Sequence, residues 1–228
     1  MIWKILQKPT HRQGEKLSTL TSCVFLHLFV LISVTFSQST TWKINNLQKI
    51  GKHQTEILGE PKVVKKSIEF DGINDGIFLD TNPVEGLKTF TIEAIFRPDA
   101  DGNKEQRWFH IQQNDADNRV LLEIRVVGND WFLDTFIKSG ENRLTHYAEK
   151  FLHPIGDFYH VALVFDGTEM RHYVNGKLEL AGKLTISPFG KGKTSLGVRQ
   201  NKVYWFKGAI KKVKVTNKAL TPEKFMKK

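Results

Sequence analysis

From Lys62 onward the chain breaks into short runs of alternating apolar and polar residues, parted by turn residues roughly every eight to twelve positions. That rhythm points to a β-sandwich or barrel. In the run from Thr89 to Arg97, residues Phe90, Ile92, Ala94 and Phe96 share one parity, while Thr91, Glu93 and Arg97 share the other. Successive side chains of a strand point to opposite faces, so the first set faces a core. Pro98, which lacks a backbone N–H, closes the run. The stretch from Arg119 to Val127 repeats the scheme, with Val120, Leu122, Ile124 and Val126 inward and Arg119, Glu123 and Arg125 outward. Asp166-Gly167 and Asn175-Gly176 favour positive φ, and they part three runs that read as consecutive antiparallel strands: His160 to Phe165, Met170 to Val174 and Leu178 to Leu180. Helical periodicity is nearly absent. Only Thr221-Pro222-Glu223 offers a helix start, with an N-cap type, a first-turn proline and an acid near the positive end of the helix dipole. The expectation is an all-β sandwich or barrel with one short C-terminal helix and, from Trp42 to Glu60, an irregular lead-in containing short strands.

The first residues read as a targeting segment. Lys4, Lys8, Arg12 and Lys16 form a basic leader, and an apolar run from Leu20 to Phe36 follows it. Thr35 and Ser37 satisfy a small-x-small pattern, which places cleavage between Ser37 and Gln38 and leaves residues 38–228 as one domain. A retained signal anchor is the alternative, since the run approaches a membrane span of roughly 20 residues. Leu20-Thr21-Ser22-Cys23 has the residue types of a lipoprotein site, but its apolar run lies after the cysteine rather than before it.

Cys23 is the only cysteine, so the mature chain would hold no disulfide and no cysteine-ligated metal. A core from about 190 residues can carry the stability alone, burying roughly 70% of the unfolded surface. The formal charge is +10. The leader holds four basic residues and one acid, so the mature chain keeps about +7. For an exported protein, periplasmic, cell-surface or secreted, the expected counter-charge is an anionic polysaccharide rather than nucleic acid.

Five motifs in order carry a family likeness. They are Ile68-Glu69-Phe70-Asp71-Gly72-Ile73-Asn74-Asp75, Phe90-Thr91-Ile92-Glu93, Tyr159 to Gly167, Tyr173-Val174-Asn175-Gly176-Lys177 and Phe206-Lys207-Gly208-Ala209-Ile210. In order and spacing the chain resembles laminin-G-like, concanavalin-type jelly-roll domains from about Trp42 to Phe225. The resemblance implies two stacked antiparallel sheets, and a role in binding glycans or proteins. Many relatives have an acidic pair after the last glycine-led strand start, where an aspartate helps hold a structural calcium. This chain has Lys211-Lys212 there, so that site is not carried over. Asp71 and Asp75 remain possible oxygen donors for calcium or simple turn formers. The acidic loop from Asn114 to Asn118 has the same two readings. The expectation is no cofactor.

Tests for chemistry narrow the choice. A retaining glycosidase of this architecture needs carboxylates two or four positions apart on one strand face, and neither Glu93 nor Glu123 has such a partner. A polysaccharide lyase needs a base and a group that neutralises a uronate carboxyl; His110, Gln112, Arg119, Arg125, His160 and Tyr204 are the candidates. Gly192-Lys193-Thr194 lacks the first glycine and the following helix of a phosphate loop. What remains is a binding surface. In Trp131 to Lys138 one parity holds Phe132, Asp134, Phe136 and Lys138, flat rings mixed with hydrogen-bonding groups suited to sugars. Should Arg119, Glu123 and Arg125 share that face, the two strands would form a groove for an acidic chain, with arginine making paired contacts to carboxylate or sulfate. The expectation is an exported glycan-binding jelly roll that serves degradation or uptake of an acidic polysaccharide. A jelly-roll lyase and an envelope interaction module are the alternatives.

Overall fold

The computed structural model describes residues 38–228; the leader, Cys23 and the cleavage point lie outside them. Among the described residues the strands are β1 (Ser39–Lys43), β2 (Lys49–Ile50), β3 (His53–Leu58), β4 (Lys62–Val64), β5 (Ser67–Asp71), β6 (Gly76–Leu79), β7 (Phe90–Pro98), β8 (Glu105–Gln113) and β9 (Arg119–Val127). They continue as β10 (Asp130–Ser139), β11 (Asn142–Tyr147), β12 (His153–Pro154), β13 (Tyr159–Phe165), β14 (Glu169–Val174), β15 (Lys177–Lys183), β16 (Gly192–Leu196) and β17 (Lys207–Thr216). One sheet runs β15-β14-β13-β7-β17-β5-β4, with β1 also beside β17. The other runs β11-β10-β9-β8-β16-β6-β3-β2, with β12 beside β10. This is the two-sheet antiparallel jelly roll that the resemblance implies, and the sandwich rather than the barrel of the two forms that the alternation allows.

The inward parities meet as read. Phe90, Ile92, Ala94 and Phe96 of β7 share one core with Val120, Leu122 and Ile124 of β9. At its centre the Phe96 ring stacks on Trp108 of β8 at 4.5 Å and takes the edge of Trp131 at 5.2 Å. Each such side chain contributes about 1.5–3 kcal/mol on burial, which is the main offset to the chain entropy lost on folding.

Three consecutive antiparallel strands, β13, β14 and β15, stand where the turn dipeptides place them. Asn175 and Gly176 have φ of 48° and 79°, the two positive values a tight hairpin needs. The Asp166-Gly167 connection is looser, because the Asp166 carboxylate accepts the Thr168 and Glu169 amides and spreads the turn over three residues.

The outer face of the first sheet is covered. The C-terminal segment crosses it, with Thr91 Oγ1 donating to the Lys218 carbonyl at 2.7 Å and accepting the Leu220 amide at 2.9 Å. Phe225 packs on His160 and Tyr173, and Glu93 accepts the Met226 amide. The expected closing helix is a single 3-10 turn, Pro222–Lys224, and Thr221 makes no side-chain cap. No helix among the described residues is long and apolar enough to cross a membrane.

The segment between β16 and β17 folds over part of the second sheet. Gly197 starts it at φ 80°, where a Cβ would lie 2.2 Å from the Phe70 ring. Gly156 has φ 99° with nothing near its Cβ position. Gly197→Ala is therefore expected to lose about 2–4 kcal/mol in urea titration, against about 1 for Gly156→Ala, which carries the backbone strain alone. Equal losses would mean that the Phe70 contact yields.

Candidate functional site

Strands β9 and β10 pair so that Arg119 faces Lys138, Leu121 faces Phe136, Glu123 faces Asp134 and Arg125 faces Phe132. Their alternate residues go to the core, so Arg119, Glu123, Arg125, Phe132, Asp134, Phe136 and Lys138 all lie on the outer face of the second sheet. Strand β8 continues that face, with Arg107 opposite Glu123. A bulge at Trp108 interrupts β8. Trp108 and Phe109 both enter the core, and Arg107 and His110 both come to the outer side.

Charges of both signs assemble here. Arg125 Nε donates to Asp134 at 2.8 Å, and its guanidinium also pairs with Glu105 and, at 3.5 Å, with Glu123. Arg107 Nε lies 3.1 Å from Glu123, near enough for an ion pair but out of line for a hydrogen bond. Asp117 holds both Arg119 and Lys138, the latter at 2.6 Å. Glu123 and Asp134 are only 3% and 2% exposed. Burial, then the adjacent Asp134, pushes the Glu123 carboxyl up to about 7, against the pull of Arg107 and Arg125. Burial raises Asp134 as well, although Arg125 opposes it.

Four guanidinium groups, those of Arg107, Arg119, Arg125 and Arg199, line a cavity of about 170 Å³ with Glu123, Asp134 and Phe136. Burial, then Arg119 and Arg107, lowers the Arg199 pKa. Arg199 makes no ion pair among the described residues. Arg107 Nε and Nη1 and Arg119 Nε are buried donors without a hydrogen-bond acceptor. Beside them His110 is held neutral, its pKa down to about 3 through burial and then through Arg199, Arg119 and Arg107. Its Nδ1 accepts the Gln200 amide at 3.0 Å, and that bond pins the segment carrying Arg199.

The face is less open than the strand pattern implies. Phe132 is 2% exposed because the Tyr147 ring of β11 meets it edge-on at 4.7 Å, so it presents no ring to a sugar. The Arg119 guanidinium lies over Phe136, 5.0 Å from the ring centre. Exposed rings come instead from Tyr147, at 48%, and Tyr204, at 40%. Arg107 stacks on the latter at 3.6 Å. Arg107, Arg199 and Tyr147 are thus parts of this face that the sequence reading did not single out.

Other candidates separate. His160 lies in the first sheet, 3.0 Å from Glu93 and beneath Phe225, so it cannot join His110, Gln112, Arg119, Arg125 and Tyr204 in one lyase site. The Gln112 amide reaches the Ala116 carbonyl at 3.5 Å. A cleft of about 700 Å³ is lined by Glu60, Asp71, Asp75 and Asp99, yet Asp71 and Asp75 act on the backbone and Asp99 pairs with Arg97. Asp71 Oδ1 accepts the Ile73, Asn74 and Asp75 amides, and Asp75 accepts those of Glu60 and Asp71. Among the described residues no cluster of three or more His, Cys, Asp or Glu is arranged to hold a metal. Lys212 pairs across strands with Lys43, and Lys211 lies near the Phe158 ring, so the family's calcium does not fit these residues. A further cleft of about 590 Å³ lies between β1 and the loop carrying Asn82 and Pro83. Trp42 lines it but is 2% exposed.

A laminin-G profile described as the concanavalin A-like lectin/glucanases superfamily matches residues 71–224. No curated protein sequence matches significantly. Among solved structures, domain 4 of AbnA, a GH43 extracellular arabinanase from Geobacillus stearothermophilus in complex with arabinotriose, is similar with a TM-score of 0.53 and 18% identity, over 84% of this chain and 88% of that one. The native heptameric SAP-like pentraxin from Limulus polyphemus gives a TM-score of 0.54 at 18% identity, over 68% of this chain and 77% of that one. The binding domain of botulinum neurotoxin serotype D gives 0.59 at 11% identity, over 81% of this chain and 49% of that one, so the chain spans about half its length. At these identities the likeness concerns the fold.

Proposed function

We propose that this chain, which belongs to the concanavalin A-like lectin/glucanases superfamily, is an exported protein that binds an acidic polysaccharide on the outer face of its second sheet, as an accessory to degradation or uptake of that polymer. The observation that carries this reading is the excess of guanidinium groups around one cavity, some with buried donors lacking an acceptor. A uronate or sulfated chain supplies the missing acceptors, and the planar fork of arginine matches carboxylate and sulfate oxygens. Exposed Tyr147 and Tyr204 beside the cavity offer flat faces for the apolar side of a pyranose. The arabinanase domain solved with arabinotriose supports sugar binding as a use of this fold. Export rests on the basic and apolar leader.

Affinity electrophoresis of residues 38–228 through gels containing pectate, alginate, a sulfated ulvan or a neutral glucan tests the reading. Retardation is expected in the acidic gels alone, and it should fade as salt screens the charges. Equal retardation by the neutral glucan, or none in any gel, would overturn it.

A further inference from the structure

Resting on that reading, we infer that the cavity between β8, β9 and the segment after β16 is a subsite for one carboxylate or sulfate group, gripped by Arg199 with Arg107 and Arg119. Three features single out this trio from the other charges of the face. Arg125 already has Asp134 and Glu123 through hydrogen bonds and Glu105 as an ion pair, and Lys138, which has no buried unpaired donor, shares Asp117 with Arg119. Arg199 has no ion pair among the described residues, while Arg107, beside Glu105 and Glu123, and Arg119, beside Asp117, still keep buried N–H groups without hydrogen-bond acceptors. Arg119 and Arg107 also sit close enough to Arg199 to disfavour its charge, a repulsion that a shared anion converts into attraction.

Size agrees with a substituent rather than a whole sugar. A cavity of about 170 Å³ holds about five waters at ~30 Å³ each, room for an anionic group and a water or two. The ring bearing that group stays at the mouth, where Tyr204 stands under the Arg107 guanidinium. The subsite is preorganised from behind, since Tyr204 accepts the Arg107 backbone amide at 2.9 Å and His110 accepts that of Gln200, next to Arg199. His110 is neutral there and adds no competing charge.

Calorimetric titration of residues 38–228 with tri-galacturonate, and with inorganic sulfate as the simplest probe, tests the assignment. Arg199→Met should weaken tri-galacturonate at least about tenfold, Arg199→Lys less, and sulfate should compete in the wild type but not in Arg199→Met. Lys183→Met, an exposed lysine outside the face, makes the same charge change and should stay within about twofold. Unaltered thermal melting of each variant shows that the fold is retained. Equal losses for Arg199→Met and Lys183→Met, or undiminished binding in Arg199→Met, would overturn the subsite while leaving glycan binding in place. Sulfate binding that Arg199→Met abolishes, with no glycan bound by the wild type, would keep the subsite and overturn the glycan reading. Neither probe binding to the wild type would overturn both.

Discussion

Raising the pH from about 6 to about 8 is expected to weaken tri-galacturonate binding about tenfold, and Glu123→Gln should remove that dependence and bind well throughout. The reason lies in the competition for Arg107. Below about 7 the Glu123 carboxyl is protonated and leaves Arg107 to the ligand. Above it the carboxylate pairs with Arg107 and repels an incoming anion across the same cavity. The groups facing Glu123 are Arg107 and Glu105 on β8, Arg125 on its own strand, Asp134 on β10 and Arg199 from the segment after β16. Asp134 shares the upward push, and His110 is already neutral across this range. Uronate carboxyls titrate well below pH 6, so the ligand itself adds no slope here.

Stability obeys the same linkage. The folded Glu123 pKa is above its unfolded value, so the favourable term is fully present below about 4.5 and is lost as pH rises through about 7. The difference in stability between wild type and Glu123→Gln, from urea titrations at several pH values, should therefore shift against the wild type on the alkaline side. A difference that is flat with pH, together with flat affinity, would remove Glu123 from the account.

Trp108→Ala is expected to lower stability by about 3–5 kcal/mol, a large part of the 5–15 typical of a domain. Its ring stacks on Phe96 and lies against Phe109, so its loss opens a cavity at the meeting of the two sheets. Urea denaturation with unchanged slope and a lowered midpoint would report it. Trp108 is also the extra residue of the β8 bulge, and relaxation there should displace Arg107 and weaken glycan binding in the same variant. A loss under about 1 kcal/mol would mean that neighbouring side chains collapse into the gap.

The bulge also explains what strand parity could not reveal. Alternation put Arg119, Glu123 and Arg125 on one side of β9 and Phe132, Asp134, Phe136 and Lys138 on one side of β10 because both strands are regular, and the β9–β10 register brings the two sets to one face. Read with strict alternation, Arg107 belongs with Phe109 and Ile111 on the core side. One extra residue at Trp108 reverses it. Arg199 stands in an irregular segment after Gly197, where no periodicity exists to be read. The burial of Phe132 is a long-range effect, since its cover, Tyr147, comes from β11. Glu93 and Thr91 have the alternation of a solvated face, yet the C-terminal segment lies over them, bonding Glu93 Oε1 through the Met226 amide and Thr91 Oγ1 through Lys218 and Leu220. Local pattern thus made the architecture legible, whereas loops and tertiary cover decided which side chains line the cavity.

The most direct measurement is a titration of ¹⁵N-labelled residues 38–228 with tri-galacturonate, following the arginine Nε–Hε signals and the backbone amides. The account predicts saturable shifts at Arg107, Arg119 and Arg199 and in the adjoining stretches of β8 and β9, while β1 and the first sheet's outer face stay unmoved. Shifts centred instead around Lys43 and Lys212, or no saturable shift anywhere, would contradict it.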